Sequence, residues 1–217
     1  MKYNAVIYDM DGLLIDSMQH WMVKDEVWFG ARNIELTQDL IKFFSGRSIR
    51  ENLTHLKQQY GFPETVDELV AERTSWEHEI YSVLTQEMPG ATALFKKVKR
   101  SGIRQAIASG APTTAVERTV ARFGWSSYIE ACVSSDHVKF VGKPDPAIFL
   151  YTAEKLGVEP ENCVVFEDAE NGVVAAKRAG MKCIAVPDPR WSFGDFLEAD
   201  LVVDSLEDER VYKFFGV

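Results

Sequence analysis

From Pro89 onward the chain alternates strictly between short apolar runs and amphipathic helical stretches, and few folds accommodate that pattern. The apolar runs are Ile103–Ala108, Ala131–Val133, Val164–Phe166, Cys183–Val186 and Leu201–Val203. Helical stretches fall at Ala91–Ser101, Thr113–Phe123, Asp145–Leu156 and Gly172–Ala179. Gly102, Gly124, Gly157 and Gly180 stand where those helices should stop. Repeated strand–helix units of this kind imply a parallel sheet covered by helices on both faces. Ala5–Tyr8 is another apolar run without turn residues, which predicts a strand of the same sheet, buried on both sides. Between Ser17 and about Gln86 no strand-like run occurs. The spacing there predicts four helices: Met18–Phe29, Thr37–Phe44 capped by Thr37, one opened by a Ser48–Glu51 capping box, and a long one over Glu64–Gln86. In the last, Arg73 and Trp76 share a stripe with Leu69, Val70, Ile80 and Leu84. The fold class expected is therefore α/β, a parallel-sheet core (1–16 and 87–217) with an inserted α-helical segment (17–86).

In such sheets ligands bind outside the carboxyl ends of the strands, so the residues standing there are informative. After the first strand come Asp9 and Asp11, two positions apart and thus on roughly the same side, with Gly12 permitting a sharp exit. Ser109 and Gly110 follow Ile103–Ala108. The strand near residue 132 leads to Gly142-Lys143-Pro144-Asp145-Pro146, and Glu167-Asp168 follow Val164–Phe166. Hydroxyl, ammonium and carboxylate groups at four strand ends are what phosphoryl transfer needs: a positioned phosphoryl group, its charge neutralised by placed cations and a hard metal ion. Repulsion between the two aspartates can be relieved by a divalent cation or by a proton on one of them. An Asp-Gly turn is the plainer alternative for Asp9–Gly12 taken alone.

Composition narrows the partners. With 217 residues and a formal net charge of −9, the chain offers no polyanion-binding surface, so nucleic acid is not an expected partner. No apolar run approaches the ~20 residues that span a bilayer, which excludes a membrane role of that kind. One lysine precedes the first strand, so no secretory leader is expected. Cys132, Cys163 and Cys183 are odd in number and sit in apolar surroundings, as buried thiols in a reducing, cytoplasmic compartment would. His20, His55, His78 and His137 show no zinc-ligand spacing. No interface pattern stands out, so a monomer or weak dimer is expected.

Taken together, the runs Asp9-Met10-Asp11-Gly12-Leu13-Leu14-Ile15-Asp16-Ser17, Ala108-Ser109-Gly110, Gly142-Lys143-Pro144-Asp145-Pro146 and Phe166-Glu167-Asp168 with Asn171-Gly172 resemble the four motifs of the haloacid dehalogenase-like hydrolase superfamily, in order. The resemblance covers nearly the whole chain. It is strongest to the helical-cap subgroup, among β-phosphoglucomutase-like and sugar-phosphate phosphatase-like members. It implies a Rossmann-like core carrying a helical cap, and a role for each matching residue. Asp9 would be the nucleophile that forms an aspartyl-phosphate, and Asp11 the general acid and then base. Mg2+ would be held by the Asp9 and Asp168 side chains and the Asp11 backbone carbonyl, with Glu167 nearby, directly or through water. Ser109 and the Gly110 amide would hold phosphate oxygens, and Lys143 would neutralise phosphoryl charge and pair with Asp9.

The same resemblance separates reactions. Dehalogenases and phosphonate hydrolases lack the second aspartate, so Asp11 argues against both. A mutase would have a lysine before the cap glycine and a histidine at the fourth position after the Asp-Ser pair. Here Ser45 precedes Gly46 and Trp21 takes the other place, with His20 one position early. Ala169 stands where many relatives have serine. The expectation is a magnesium-dependent phosphatase acting on a small phosphorylated metabolite such as a sugar phosphate. A β-phosphoglucomutase-type mutase is the alternative, and a non-catalytic phosphate-sensing or partner-binding module the alternative of a different class. Specificity is expected in the cap, at Trp21, Gly46, Arg47 and Arg50, with Arg47 meeting a second anion or hydroxyls. Trp21, Trp28 and Trp76 also suit plain helix packing, and Asp16-Ser17 suits capping of the first cap helix.

Overall fold

The computed structural model describes residues 3–215. Six parallel strands form one sheet in the order β3-β2-β1-β4-β5-β6: β1 Ala5–Tyr8, β2 Arg104–Ser109, β3 Ala131–Ser134, β4 Cys163–Glu167, β5 Lys182–Ala185 and β6 Leu201–Val202. The central strand is β1, with Tyr8 level with Ile107 on one side and Phe166 on the other. Its side chains alternate between the two faces. Val6 and Tyr8 join Phe95 of α5 (Ala91–Arg100), Val116 of α6 (Thr113–Arg122) and Phe215 of α9 (Glu209–Phe215) in one cluster. Ala5 and Ile7 join Phe149 of α7 (Ala147–Leu156) and Val173 of α8 (Glu170–Arg178) in the other. This is the α/β, Rossmann-like fold expected from the alternation. Cys163 and Cys183 are buried, Cys132 is half-buried, and all three are free thiols. No helix among the described residues is long and apolar enough to cross a membrane.

After β1 the chain builds α1 (Ser17–Gly30), α2 (Gln38–Phe44), α3 (Ile49–Tyr60) and α4 (Val66–Glu79). Trp28, Phe29, Leu53, Leu56 and Leu69 close a small core of their own among these helices. The chain's departure from and return to the sheet are tied together: Asp16 N–H donates to Gln86 O (3.0 Å), Gln86 N–H donates to Asp16 Oδ1 (2.5 Å), and Met88 N–H donates to Leu14 O (2.8 Å).

Three local features differ from expectation. The long helix over 64–86 ends its α-helical part at Glu79 and continues as a wider π turn, Ile80–Leu84, which carries the buried Ile80 and Tyr81. The capping box at Ser48 is half formed: Ser48 Oγ accepts from Glu51 N–H (3.2 Å), but the Glu51 carboxylate turns to Gly142 N–H (3.0 Å) and to Arg47. The full box forms instead at Thr65–Glu68, opening α4. Asp16 precedes α1 without capping it, because its carboxylate is taken by Gln86 N–H and the Gln19 amide.

Candidate active site

At the carboxyl end of the sheet, the register of β1 against β4 sets Asp9 beside Glu167, with Asp9 N–H donating to Phe166 O (3.0 Å). Lys143 reaches these acids from the loop before α7 and is 1% exposed. Its Nζ donates to Asp9 Oδ1 (2.5 Å), to Glu167 and to Ala108 O (3.3 Å). Burial alone would lower the lysine's pKa; the Asp9 and Glu167 carboxylates outweigh it and hold it above the usual range. Glu167 also accepts from Ala169 N–H (3.3 Å). The close approach of Glu167 to α8 depends on Gly172, where any Cβ would run into the Glu167 carboxylate.

Asp11 has a different environment. Ser17 Oγ donates to Asp11 Oδ1 (2.6 Å) and Ser109 Oγ to Asp11 Oδ2 (3.2 Å), and the Tyr81 hydroxyl is a third donor. Tyr81 in turn accepts from Trp21 Nε1 (3.3 Å). Burial, then the neighbouring Asp9 charge, raise the Asp11 carboxyl to about 6 despite these three donors. The two aspartates of one strand end are thus held unlike each other, one by an ammonium and one by hydroxyls.

Among the described residues, the carboxylates of Asp9, Asp11, Glu167 and Asp168 gather here, and Lys143 supplies the ammonium, bound to Asp9 and Glu167. Asp168 is pushed well above its ordinary pKa, first by burial and then by Asp9 and Glu167. Its side chain receives one long hydrogen bond, from Ser192 Oγ at 3.5 Å. Ligand oxygens of Asp9, Glu167 and Asp168 lie within 4.8 Å of one another. Gly12, at φ +85°, leaves open the space beside Asp168 that a Cβ would fill. A buried, all-oxygen, under-neutralised set of this kind fits a hard divalent cation.

These groups open onto a cavity of about 130 Å3 between the sheet and the helical insert. Asp9, Asp11, Ser109, Gly110, Glu167 and Asp168 line one side; Trp21, Gly46, Arg47 and Tyr81 are among those lining the other. Gly46 and Arg47, on the insert's side, pack directly against Gly110, Gly142 and Lys143. Lys143 N–H donates to Gly46 O (3.3 Å), and Asn171 Nδ2 donates to Ser45 O (2.9 Å) and Lys42 O (3.2 Å). Of the residues expected from sequence to face substrate, Arg50 does not line the cavity. It sits at the second position of α3, turned outward to Asp67 at 2.8 Å. Trp28 is buried in the insert's own core, whereas Trp21 both packs against Trp76 and Tyr81 and lines the cavity.

Several residues of the site lie outside the motifs. Tyr81 donates to Asp11 beside Ser17, which ends the first motif, and Asp25, Asn52 and Arg73 line the insert's side of the cavity. Arg73 carried a visible signal, a charged side chain on an otherwise apolar stripe; its partner Asp25 lies on another helix and had none.

A parallel sheet whose central strand ends deliver acids and a hydroxyl into one cavity, with a buried lysine set against those acids from a neighbouring loop, defines an α/β enzyme that handles phosphoryl groups. The chain belongs to the haloacid dehalogenase-like hydrolase family, whose sequence profile matches residues 3–180. It is 33% identical over 180 residues to the phosphorylated carbohydrates phosphatase of Thermotoga maritima, covering 83% of each chain. It is 31% identical to the bifunctional riboflavin kinase/FMN phosphatase of Arabidopsis thaliana, matching 97% of this chain but only 55% of that protein's length. Among solved structures, β-phosphoglucomutase from Clostridium difficile superposes with a TM-score of 0.79 at 26% identity, covering 97% of this chain and 96% of the other. CbbY from Rhodobacter sphaeroides, solved with phosphate, superposes with a TM-score of 0.80 at 24% identity, covering 94% and 95%. The chain is a phosphatase of this family, a phosphoric monoester hydrolase.

Proposed function

We propose that this enzyme removes the phosphoryl group of a small phosphomonoester through an aspartyl-phosphate on Asp9, with Mg2+ as its cofactor. The observation that carries the proposal is the unequal treatment of the two aspartates: Asp9 is paired with Lys143, while Asp11 is raised to about 6 among hydroxyl donors. A carboxylate placed by a lysine ammonium can act as a nucleophile, and a neighbouring carboxyl able to hold a proton is a general acid. An Asp9 oxygen forms the bond to phosphorus as the bond from phosphorus to the ester oxygen breaks. The Asp11 proton passes to that leaving oxygen. The Asp11 carboxylate then takes a proton from water, whose oxygen attacks phosphorus and releases Asp9 and inorganic phosphate. Ser109 Oγ, which donates to Asp11 in this structure, and the Gly110 N–H would hold phosphoryl oxygens, and Lys143 would balance their charge. Asp9, Asp168 and the Asp11 backbone carbonyl would hold the metal, with Glu167 behind them on Lys143. When bound, Mg2+ neutralises phosphoryl charge and lets an anion approach an acidic site.

We assign the helical insert (17–86) the part of a cap, closing over the phosphoryl site. It supplies no cation at the place that a mutase would need one: Ser45 Oγ donates to Ile41 O (3.1 Å), within the insert. This favours hydrolysis over phosphosugar mutation. The test is p-nitrophenyl phosphate hydrolysis with Mg2+ by wild type, Asp9→Asn and Asp11→Asn. Asp9→Asn should be inactive, and Asp11→Asn should accumulate protein heavier by one phosphoryl group, seen by intact-mass measurement. Equal turnover by wild type and Asp9→Asn removes the mechanism.

A further inference from the structure

One of the three donors to Asp11 depends on an unusual stretch of helix. In Ile80–Leu84 the pattern widens, and Thr85 N–H donates to Ile80 O (3.1 Å), five residues back instead of four. Tyr81 takes the second place of this turn and is 2% exposed. Its hydroxyl donates to Asp11 and accepts from Trp21 Nε1 (3.3 Å). A change of one residue in helical register rotates a side chain by about 100°. The bond to Asp11 therefore holds only while the turn stays wide.

Wide turns of this kind are rare and need support from outside the helix. The N–H that a continued pattern would send to Tyr81 O belongs to Gln86, and it goes to Asp16 Oδ1 instead (2.5 Å). Arg122, the last residue of α6, supplies a donor in its place. Its Nη1 donates to Tyr81 O (3.0 Å) and to Thr85 Oγ1 (2.8 Å), and its Nη2 donates to Val83 O (3.0 Å). Thr85 is 0% exposed, so one end of this clamp is buried. A planar guanidinium reaches several acceptors at fixed angles, as a single ammonium does not. Arg122 itself does not line the cavity.

We propose that Arg122 is a positioning residue for the reaction: it holds the Ile80–Leu84 turn wide, which aims the Tyr81 hydroxyl at Asp11 and so places the carboxyl that gives the leaving oxygen its proton. The inference rests on the phosphatase reading of Asp11 and adds to it a route from outside the cavity. Ser109 Oγ would turn to a phosphoryl oxygen when substrate binds, which leaves Ser17 and Tyr81 to hold Asp11 during proton transfer.

The experiment compares kcat/KM of the full chain with Mg2+ for phenyl phosphate and p-nitrophenyl phosphate. The two esters are alike in shape, but phenolate is the more basic leaving group and needs the proton more. Tyr81→Phe, which removes only the hydroxyl, should lower the phenyl to p-nitrophenyl ratio by about tenfold, part of the roughly 100-fold or more that a general acid supplies. Arg122→Met should lower the ratio by a similar factor, and Arg122→Lys should lie between it and wild type. The double variant Arg122→Met/Tyr81→Phe should be no worse than the worse single one, since both act through one hydroxyl. A purely structural role for Arg122 would instead cut both esters alike. If Arg122→Met does not fold, Arg122→Lys takes its place in the comparison. An unmoved ratio in Tyr81→Phe, or in the Arg122 variant so compared, overturns the inference and leaves the phosphatase reading intact. Losses that multiply in the double variant do the same. Absence of Mg2+-dependent p-nitrophenyl phosphate hydrolysis that requires Asp9 overturns the phosphatase reading itself.

Discussion

Replacing Gly172 by alanine sets two physical effects of opposite sign against each other. Gly172 is the third residue of α8. Helix propensity alone makes Gly→Ala favourable there by up to about 1 kcal/mol. The added methyl, however, would overlap the buried Glu167 carboxylate. Glu167 is 0% exposed and cannot retreat into solvent. Overpacking a filled interior costs roughly 1–3 kcal/mol. If Glu167 is also driven off Lys143, a broken buried pair adds roughly 3–5 kcal/mol. With that pair broken, net destabilisation should therefore be about 3–8 kcal/mol, read from urea unfolding with the slope checked for two-state behaviour. Activity should fall as well, because Lys143 loses one of the two carboxylates that place it against Asp9. Gly30→Ala is the control: this glycine ends α1, has a negative backbone φ, and a Cβ there would meet nothing within 4 Å. It should be neutral or slightly stabilising. A Gly172→Ala protein as stable as wild type would refute the placement of Glu167 beneath α8.

Other consequences are as direct. Lys143→Met should reduce kcat for p-nitrophenyl phosphate by at least about 100-fold, as expected when a preplaced charge at a developing anion is removed, with saturation kinetics as the readout. Asn171→Ala removes two hydrogen bonds that hold the insert down, worth roughly 2 kcal/mol together. It should raise KM by roughly tenfold and lower the urea unfolding midpoint with an unchanged slope. Glu77, 3% exposed, is raised to about 7 by burial first and then by Asp11, partly offset by Arg118, with Asp136 also raising it. An acid raised in the folded state binds more protons there than when unfolded, so stability should fall as pH rises from about 4.5 to 7. Glu77→Gln should flatten that fall, by at most about 3 kcal/mol. Parallel pH-stability curves for wild type and variant would contradict the assignment.

The sheet was readable because its signals are local: short apolar runs, with Gly102, Gly124, Gly157 and Gly180 all adopting the left-handed conformation that stops a helix. The acids were readable because a parallel sheet delivers whatever follows its strands to one edge. What escaped depends on packing between elements. Tyr81 reaches Asp11 only because the helix widens into a π turn at Ile80, which periodicity does not foretell. Asp25 and Arg73 lie 48 positions apart (73 − 25) and meet only when α1 and α4 pack together. Glu51 looked committed to its own helix by the Ser48 pattern, yet Gly142 N–H on the sheet side is the partner it takes. Arg50 was expected to face substrate from the start of the Ser48 helix, but α3 turns it outward to Asp67. In each case several partners were chemically acceptable, and tertiary geometry made the choice.

The backbone neck joining Asp16 to Gln86 bears on how such a chain folds. These residues are 70 positions apart, yet they exchange hydrogen bonds directly. The entropy of closing a loop grows only logarithmically with its length, so the helical detour adds little to the cost of assembling the sheet around it. The helical segment has a small core of its own, yet Trp21, Ile80 and Tyr81 from it pack into the core beneath the sheet. The neck therefore fixes both ends of a 70-residue detour at one point beside β1, where the segment's inner residues meet the sheet's.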